Sequence, residues 1–265
     1  MQNSNTGHTR KAVFLDIDGT LIPQGQAMPG AEDAAAVELT HNAGHLIFLS
    51  TARSLANIPP EFTAAPWLDG IVAAGGAHVL LKDAAGLTTV YHTFIPVKLL
   101  SAMYELYERL GKWCLFEGET DLFAVGRVTT LLLPREPLAL EHKNDFVTKY
   151  PDTAISKITM EGDIAAAERD MFGDILHLYP QTVHHDGIIR GESKSKGMLM
   201  ALEAVGIRRE HSIAIGDSAN DLDMIRAAGT GIAMGNACDE LKAAAAHITG
   251  DVMRNGVAQA LRTYV

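Results

Sequence analysis

Residues 11–22, KAVFLDIDGTLI, decide the fold. The run AVFL at 12–15 is apolar without alternation, as in a strand covered on both faces. It ends in Asp16 and Asp18, one residue apart, followed by Gly19 and Thr20. Two carboxylates aimed at one small volume raise the cost of ionising both. The simplest relief is a bound cation. Gly19 permits the tight turn that would bring both acids to one spot. A helix-loop-helix calcium site needs glycine at its sixth loop position and an acid at its twelfth. Counted from Asp16, Gly19 is fourth and Ala27 twelfth, so that reading fails. A strand-end turn capped by aspartates, with no ligand, is the other reading of this stretch alone.

Outward from this stretch, strands and helices alternate in both terminal portions. AEDAAAVELTHNAG (31–44) reads as a helix stopped at Asn42-Ala43-Gly44. HLIFLS (45–50) and DGIVAA (69–74) read as strands. Towards the C-terminus GMLMALEAVG is helix, SIAIG strand, NDLDMIRAAG helix, TGIAM strand and DELKAAAAH helix. NGVAQALRTY forms a last helix with Asn255 as its expected cap. Such alternation implies a parallel sheet with helices on both faces. Residues 83–187 differ: they hold most of the aromatics, and mix strand-like TTLLLP (129–134) with helical VKLLSAMYELYERLG (97–111). The expected organisation is a core of residues 1–82 and 188–265, split by an α+β insertion over 83–187.

A formal net charge of −10 over 265 residues argues against a general nucleic-acid or anionic-membrane binder. Two cysteines, Cys114 and Cys238, have no metal-type spacing, which fits a reducing, cytoplasmic setting without disulfides. The polar stretch MQNSNTGHTR reads as a loose tail and not as a signal peptide. No apolar run approaches a membrane span. A monomer or small homo-oligomer is expected.

A second acidic constellation, IAIGDSANDLDMI (213–225), repeats the pattern of an apolar strand ending in Gly-Asp. Ligands of open parallel sheets bind beyond the carboxyl ends of the strands, so Asp217 can meet Asp16 and Asp18 at one edge. Asn220 and Asp221 open the next helix, where acids can also be mere caps. Three or four oxygen-donating carboxylates suit Mg²⁺. FLSTARS places Ser50, Thr51 and Arg53 after the second strand, with a hydroxyl and backbone amides able to hold an anion. GESKSKG offers Lys194 and Lys196 ahead of a helix; a lysine is a compact point charge for phosphate. His184-His185 is set aside as a metal site because adjacent side chains diverge. GTGIAMG runs from helix into strand, the reverse of a dinucleotide fingerprint.

In order, DIDGTL, STAR, SKG and GDSAND resemble the four motifs of the haloacid dehalogenase-like (HAD) hydrolase superfamily, in its Cof-type branch with a IIB cap. The resemblance spans both core portions and thins out in the cap. It departs at STAR, where the branch commonly has Thr-Gly-Arg, and at AAGGA, where an Asn often precedes the Gly-Ala. It implies an α/β fold with a Rossmann-like doubly wound parallel-sheet core and an inserted cap. It further implies a Mg²⁺-dependent phosphatase of small phosphorylated metabolites, sugar phosphates first. Asp16 would be the nucleophile and Asp18 the general acid and base. Asp16, the Asp18 backbone carbonyl and Asp217 would hold Mg²⁺, with Asp221 close by. Thr51, the Ala52 amide, Lys196 and Asn220 would grip the phosphoryl oxygens. Between the two lysines, the Lys-Gly pairing and a helix starting at Gly197 favour Lys196. A mutase, a specialised glycosyl-phosphate phosphatase and a non-enzymatic binding protein stay open as alternatives.

Overall fold

In the computed structural model, residues 9–162, 171–180 and 183–265 are described; the expected N-terminal tail falls largely outside them. Strands β1 (Ala12–Leu15), β2 (Leu46–Ser50) and β3 (Gly70–Ala73) are followed by a hairpin of β4 (His78–Asp83) and β5 (Gly86–His92). Next come β6 (Cys114–Gly118), β7 (Leu122–Val125), β8 (Leu138–Ala139), β9 (Ile155–Glu161), β10 (Leu176–Pro180) and β11 (His184–Ile189). The chain then returns with β12 (Ser212–Gly216), β13 (Thr230–Ala233) and β14 (His247–Ile248).

These strands form two sheets. The first has the order β14-β13-β12-β1-β2-β3-β4-β5 and is parallel except for β4 and β5. Its central strand β1 is completely buried, and Phe14 stacks on Phe48 of β2 with ring centroids 4.7 Å apart. Burial on both faces is why these strands are apolar throughout and do not alternate. The order reverses between β1 and β12, so their carboxyl ends diverge into a crevice, the usual ligand position in such sheets.

The second sheet, order β10-β11-β9-β6-β7-β8, is mostly antiparallel and carries the helix Val97–Leu110 on a separate apolar core. This is the inserted α+β layer. Strand β5 pairs with β4 in the first sheet, so residues 86–92, expected in the insertion, extend the core sheet. Their partial exposure had obscured this in the sequence, since an edge hairpin need not be apolar.

Two local expectations are corrected. TTLLLP forms no strand; Leu131 and Leu133 pack against the small cluster around Trp113 and Leu115, while Leu132 stays exposed. Asn255 stands at the start of the helix Gly256–Tyr264 but does not cap it through its side chain, which donates instead to Glu32 Oε2. The amide of Ala258 is taken by Asp33 Oδ1 from the helix Ala31–Asn42, a buried acceptor supplied across the helix pair. Both cysteines are free, Cys114 buried and Cys238 exposed. Among the described residues, no helix is long and apolar enough to cross a membrane.

Candidate active site

Asp16 leaves the end of β1 directly into the crevice, its backbone amide bonded to Ile215 O of β12. Gly19, at φ +88°, then turns the chain. Thr20 Oγ1 reaches across to Asp217 Oδ1 at 3.1 Å, tying the turn after β1 to the turn after β12. Carboxylate oxygens of Asp16, Asp217 and Asp221 lie within 4.8 Å of one another, all three residues buried. The sequence expectation of convergent acids at this edge is thus met by Asp16 and Asp217.

Asp18 behaves differently. Its carboxylate is not part of that group of three and takes a two-pronged hydrogen bond from Arg53, Nε to Oδ2 at 2.7 Å and Nη2 to Oδ1 at 2.6 Å. Asp18 thus shares the cleft with Asp16, and its charge is felt there, while its carboxylate pairs with Arg53. Although the cleft walls withdraw water from it, the Arg53 bonds and charge hold the Asp18 carboxyl below its usual value. Asp16 is pushed the other way, well above its usual value, by burial first and by the neighbouring acids Asp221, Asp217 and Asp18, against the pull of Lys194. Asp217 is raised to about 6, chiefly by burial and then by Asp221. A buried acidic group strained in this way is a natural cation receptor. Asp16 and Asp217, with the Asp18 backbone beside them, are hard oxygen donors that fit Mg²⁺.

Lys194, and not Lys196, enters this cluster. Its Nζ lies 2.6 Å from Asp16 Oδ1 and 2.6 Å from Asp221 Oδ1, and the side chain is 1% exposed. Burial opposes its charge, but the two carboxylates outweigh it and raise its pKa. Lys196 instead pairs with Glu192 Oε1 at 2.8 Å and Tyr91 Oη at 3.1 Å, with its side chain 38% exposed. The physical reason lies in where the helix begins. It runs from Lys194 to Val205, and Ser193 caps it by accepting the Lys196 amide at 3.2 Å. Lys194 is therefore the first helical residue, facing the crevice, and Lys196 is rotated two positions round the helix, toward β5. Ser193, a favoured N-cap residue directly before Lys194, was the signal available in the sequence.

Asp221 is occupied as a positioning group. Oδ2 accepts the amides of Asp217 at 3.1 Å and Ser218 at 3.0 Å, while Oδ1 takes Lys194. It fixes the turn that carries Asp217 and orients the lysine. Thr51 is buried, its hydroxyl accepting the Arg53 amide at 3.1 Å. Ala52 and Asn220 line the same cleft. Gly75, in the AAGGA departure, has φ +62° and ψ +27°, a left-handed conformation that glycine and asparagine both adopt readily. The backbone there is what such a position requires, and Ile188 packs where a side chain would begin, 3.0 Å from a would-be Cβ.

Over the acids lies a cleft of about 470 Å³. Its floor includes Asp16, Asp18, Thr51, Asp217 and Asn220 from the first sheet; its roof includes Lys157, Thr159, His184 and Asp186 from the second. His184, set aside in the sequence, thus faces the cleft, while His185 points to Gly162 O at 2.9 Å. The roof residues were not singled out because they sit one by one on strands β9 and β11 and meet only through antiparallel pairing.

Residues 13–261 match the haloacid dehalogenase-like hydrolase family. The chain belongs to that family. The 5-amino-6-(5-phospho-D-ribitylamino)uracil phosphatase YcsE of Bacillus subtilis is 43% identical over 257 residues, covering 96% of each chain. The pyridoxal phosphate phosphatase YbhA of Escherichia coli is 27% identical over 276 residues, covering 97% of this chain and 99% of its own. Among solved structures, the HAD subclass IIB sugar phosphatase BT4131 aligns with a TM-score of 0.78 at 24% identity, covering 96% of this chain and 98% of its own. A haloacid dehalogenase-like hydrolase from B. subtilis aligns at 0.80 with 18% identity, over 97% and 100%. The fold is that of a HAD core with a IIB-type cap, and the chain is a HAD-type phosphatase of the Cof branch.

Proposed function

We propose that this phosphatase hydrolyses phosphate monoesters of small polyhydroxylated metabolites, sugar or sugar-alcohol phosphates, through an aspartyl-phosphate on Asp16. The observation that carries the reading is a buried carboxylate, Asp16, held by a buried ammonium 2.6 Å away at the floor of a roofed cleft. Asp16 Oδ attacks phosphorus, and the bond from phosphorus to the ester oxygen breaks. Asp18, once turned from Arg53 and so released from the charge that keeps it ionised, takes up a proton from solvent, gives it to the departing alkoxide and later takes one from the water that attacks the phosphoenzyme. Lys194, the Thr51 hydroxyl, the Ala52 amide and Asn220 hold the non-bridging oxygens, so charge is met as it redistributes. Mg²⁺, held by Asp16, Asp217 and the Asp18 carbonyl, supplies further neutralisation when bound. The lysine role passes from Lys196 to Lys194.

A proton donor such as Asp18 matters for an alcohol leaving group, which favours phosphate esters over substrates whose leaving group departs unprotonated. The resemblance to YcsE adds 5-amino-6-(5-phospho-D-ribitylamino)uracil to the candidate substrates. The test is phosphate release from a panel of sugar phosphates, sugar-alcohol phosphates, pyridoxal phosphate and this compound, with Mg²⁺ and with chelator. Release confined to the Mg²⁺ samples is expected. Isomerised ester in place of free phosphate would make the protein a mutase, and undiminished release after exhaustive chelation would remove the metal.

A further inference from the structure

We infer that the cap roof selects esters whose leaving group is uncharged and rich in hydroxyls and rejects those carrying a second anion, with Asp186 reading the leaving group. The inference rests on the phosphatase reading above. Lys157 is a buried cation facing the cleft, and alone it would be a receptor for a second phosphate or a carboxylate. It is not alone. Its Nζ lies 3.0 Å from Glu117 Oε1 and 2.9 Å from Asp186 Oδ1, so the three groups sum to one negative charge. Lys194 is likewise taken by Asp16 and Asp221. Both buried cations therefore already meet carboxylates.

Two roof acceptors also compete for one hydroxyl. Thr159 Oγ1 lies 2.7 Å from Glu117 Oε1 and 2.9 Å from Asp186 Oδ1, yet a hydroxyl has one proton to give. Asn57 donates through Nδ2 to Glu117 Oε2 at 2.9 Å, which leaves its buried Oδ1 without a hydrogen-bond partner among the described residues. Asn57 is 8% exposed and lines the cleft. An unpartnered acceptor at a buried surface is costly until a ligand satisfies it. Hydroxyl groups of a polyol supply the missing protons; a carboxylate or second phosphate supplies more acceptors and meets a net negative roof.

The experiment compares two esters that differ at one carbon, glucitol 6-phosphate with a terminal hydroxymethyl and 6-phosphogluconate with a carboxylate. The ratio of their kcat/KM values is measured with Mg²⁺ for the full chain, for Asp186→Asn and for Glu117→Gln. Because both esters are assayed on one preparation, the ratio is unaffected by loss of correctly folded enzyme. The wild-type chain should prefer glucitol 6-phosphate. Each variant should narrow that preference by about tenfold or more, since a like-charge contact outweighs a tenfold increment in free energy. Equal values for both esters in the wild-type chain, or a ratio unmoved in both variants, would overturn the roof assignment while leaving the phosphatase intact. If neither ester nor p-nitrophenyl phosphate released phosphate, the phosphatase reading would fall and this inference with it.

Discussion

Lys194 Nζ touches Asp16 Oδ1 at 2.6 Å across 178 positions of sequence, and the same nitrogen meets Asp221 at 2.6 Å. One buried ammonium thus spans the ends of β1 and β12. Lys194→Met should lower kcat by roughly 10²–10³-fold, the scale for losing one preorganised donor at a developing charge. It should also lower the unfolding midpoint, because removing one partner of a buried pair strands the others. Lys196→Met removes a partly exposed partner of Glu192 and should stay within about 0.5 kcal/mol in stability. Parallel kinetics and thermal melts of the two variants check this; equal losses of rate would return the role to Lys196.

The two aspartates of the opening stretch are expected to fail differently. Asp16→Asn leaves no nucleophile, so turnover should vanish. Asp18→Asn keeps Asp16 and the backbone carbonyl but removes the proton donor, a loss of roughly 10²–10⁴-fold. The loss should be large for a sugar phosphate and small for p-nitrophenyl phosphate, whose phenolate departs without a proton. Single-turnover rates of phosphoenzyme formation on both esters decide it. An equal loss on both would refute the general-acid role.

The core was legible because its signals are local. β1, β2 and β12 are buried on both faces, so each announces itself as an apolar run, followed directly by Asp16, Thr51 and Asp217 at the crevice. The sequence favoured Lys196 because it placed the helix start at Gly197; Ser193 starts the helix at Lys194 instead, and that phase decides which lysine enters the cluster. The Arg53–Asp18 pair and the roof around Lys157 lay beyond sequence reading for another reason. They join residues through tertiary packing, where antiparallel register brings Lys157 of β9 toward Asp186 of β11.

Metal binding should depend on pH with a defined sign. Without a cation, folded Asp217 keeps its proton to about 6, whereas the unfolded chain loses it near 3.8. The folded state therefore binds more protons in that window, and this contribution to stability is lost as pH rises through about 6. Mg²⁺ needs the ionised acids, so the rise in melting temperature on adding Mg²⁺ should be larger at pH 8 than at pH 5. Burial and His92 push His78 down to about 3 from 6.5, which acts in the opposite direction by destabilising the fold as pH falls below 6.5. Taking the difference with and without Mg²⁺ removes that background. Equal shifts at both pH values would contradict the assignment of Asp217 as a ligand.

Gly19 couples the backbone turn to the acids more directly. At φ +88°, a Cβ there would stand 2.3 Å from Asp217 Oδ2, closer than any real contact allows. Gly19→Ala should therefore displace the Asp217 carboxylate from Thr20 and from Asp16, in addition to straining the turn by about 1–2 kcal/mol. Gly44, at φ +95°, has nothing within 4 Å of its would-be Cβ and lies at the far end of the helix Ala31–Asn42. Gly44→Ala should carry the strain without the clash, and so separates the two effects. The measurement is the Mg²⁺ concentration giving half-maximal phosphate release, with melting temperature recorded alongside. For Gly19→Ala that concentration should rise by about 10–100-fold, as when a group that orients a ligand is lost. For Gly44→Ala it should not move, although both variants melt lower. A Mg²⁺ requirement unchanged in Gly19→Ala would mean that Asp217 does not hold the metal.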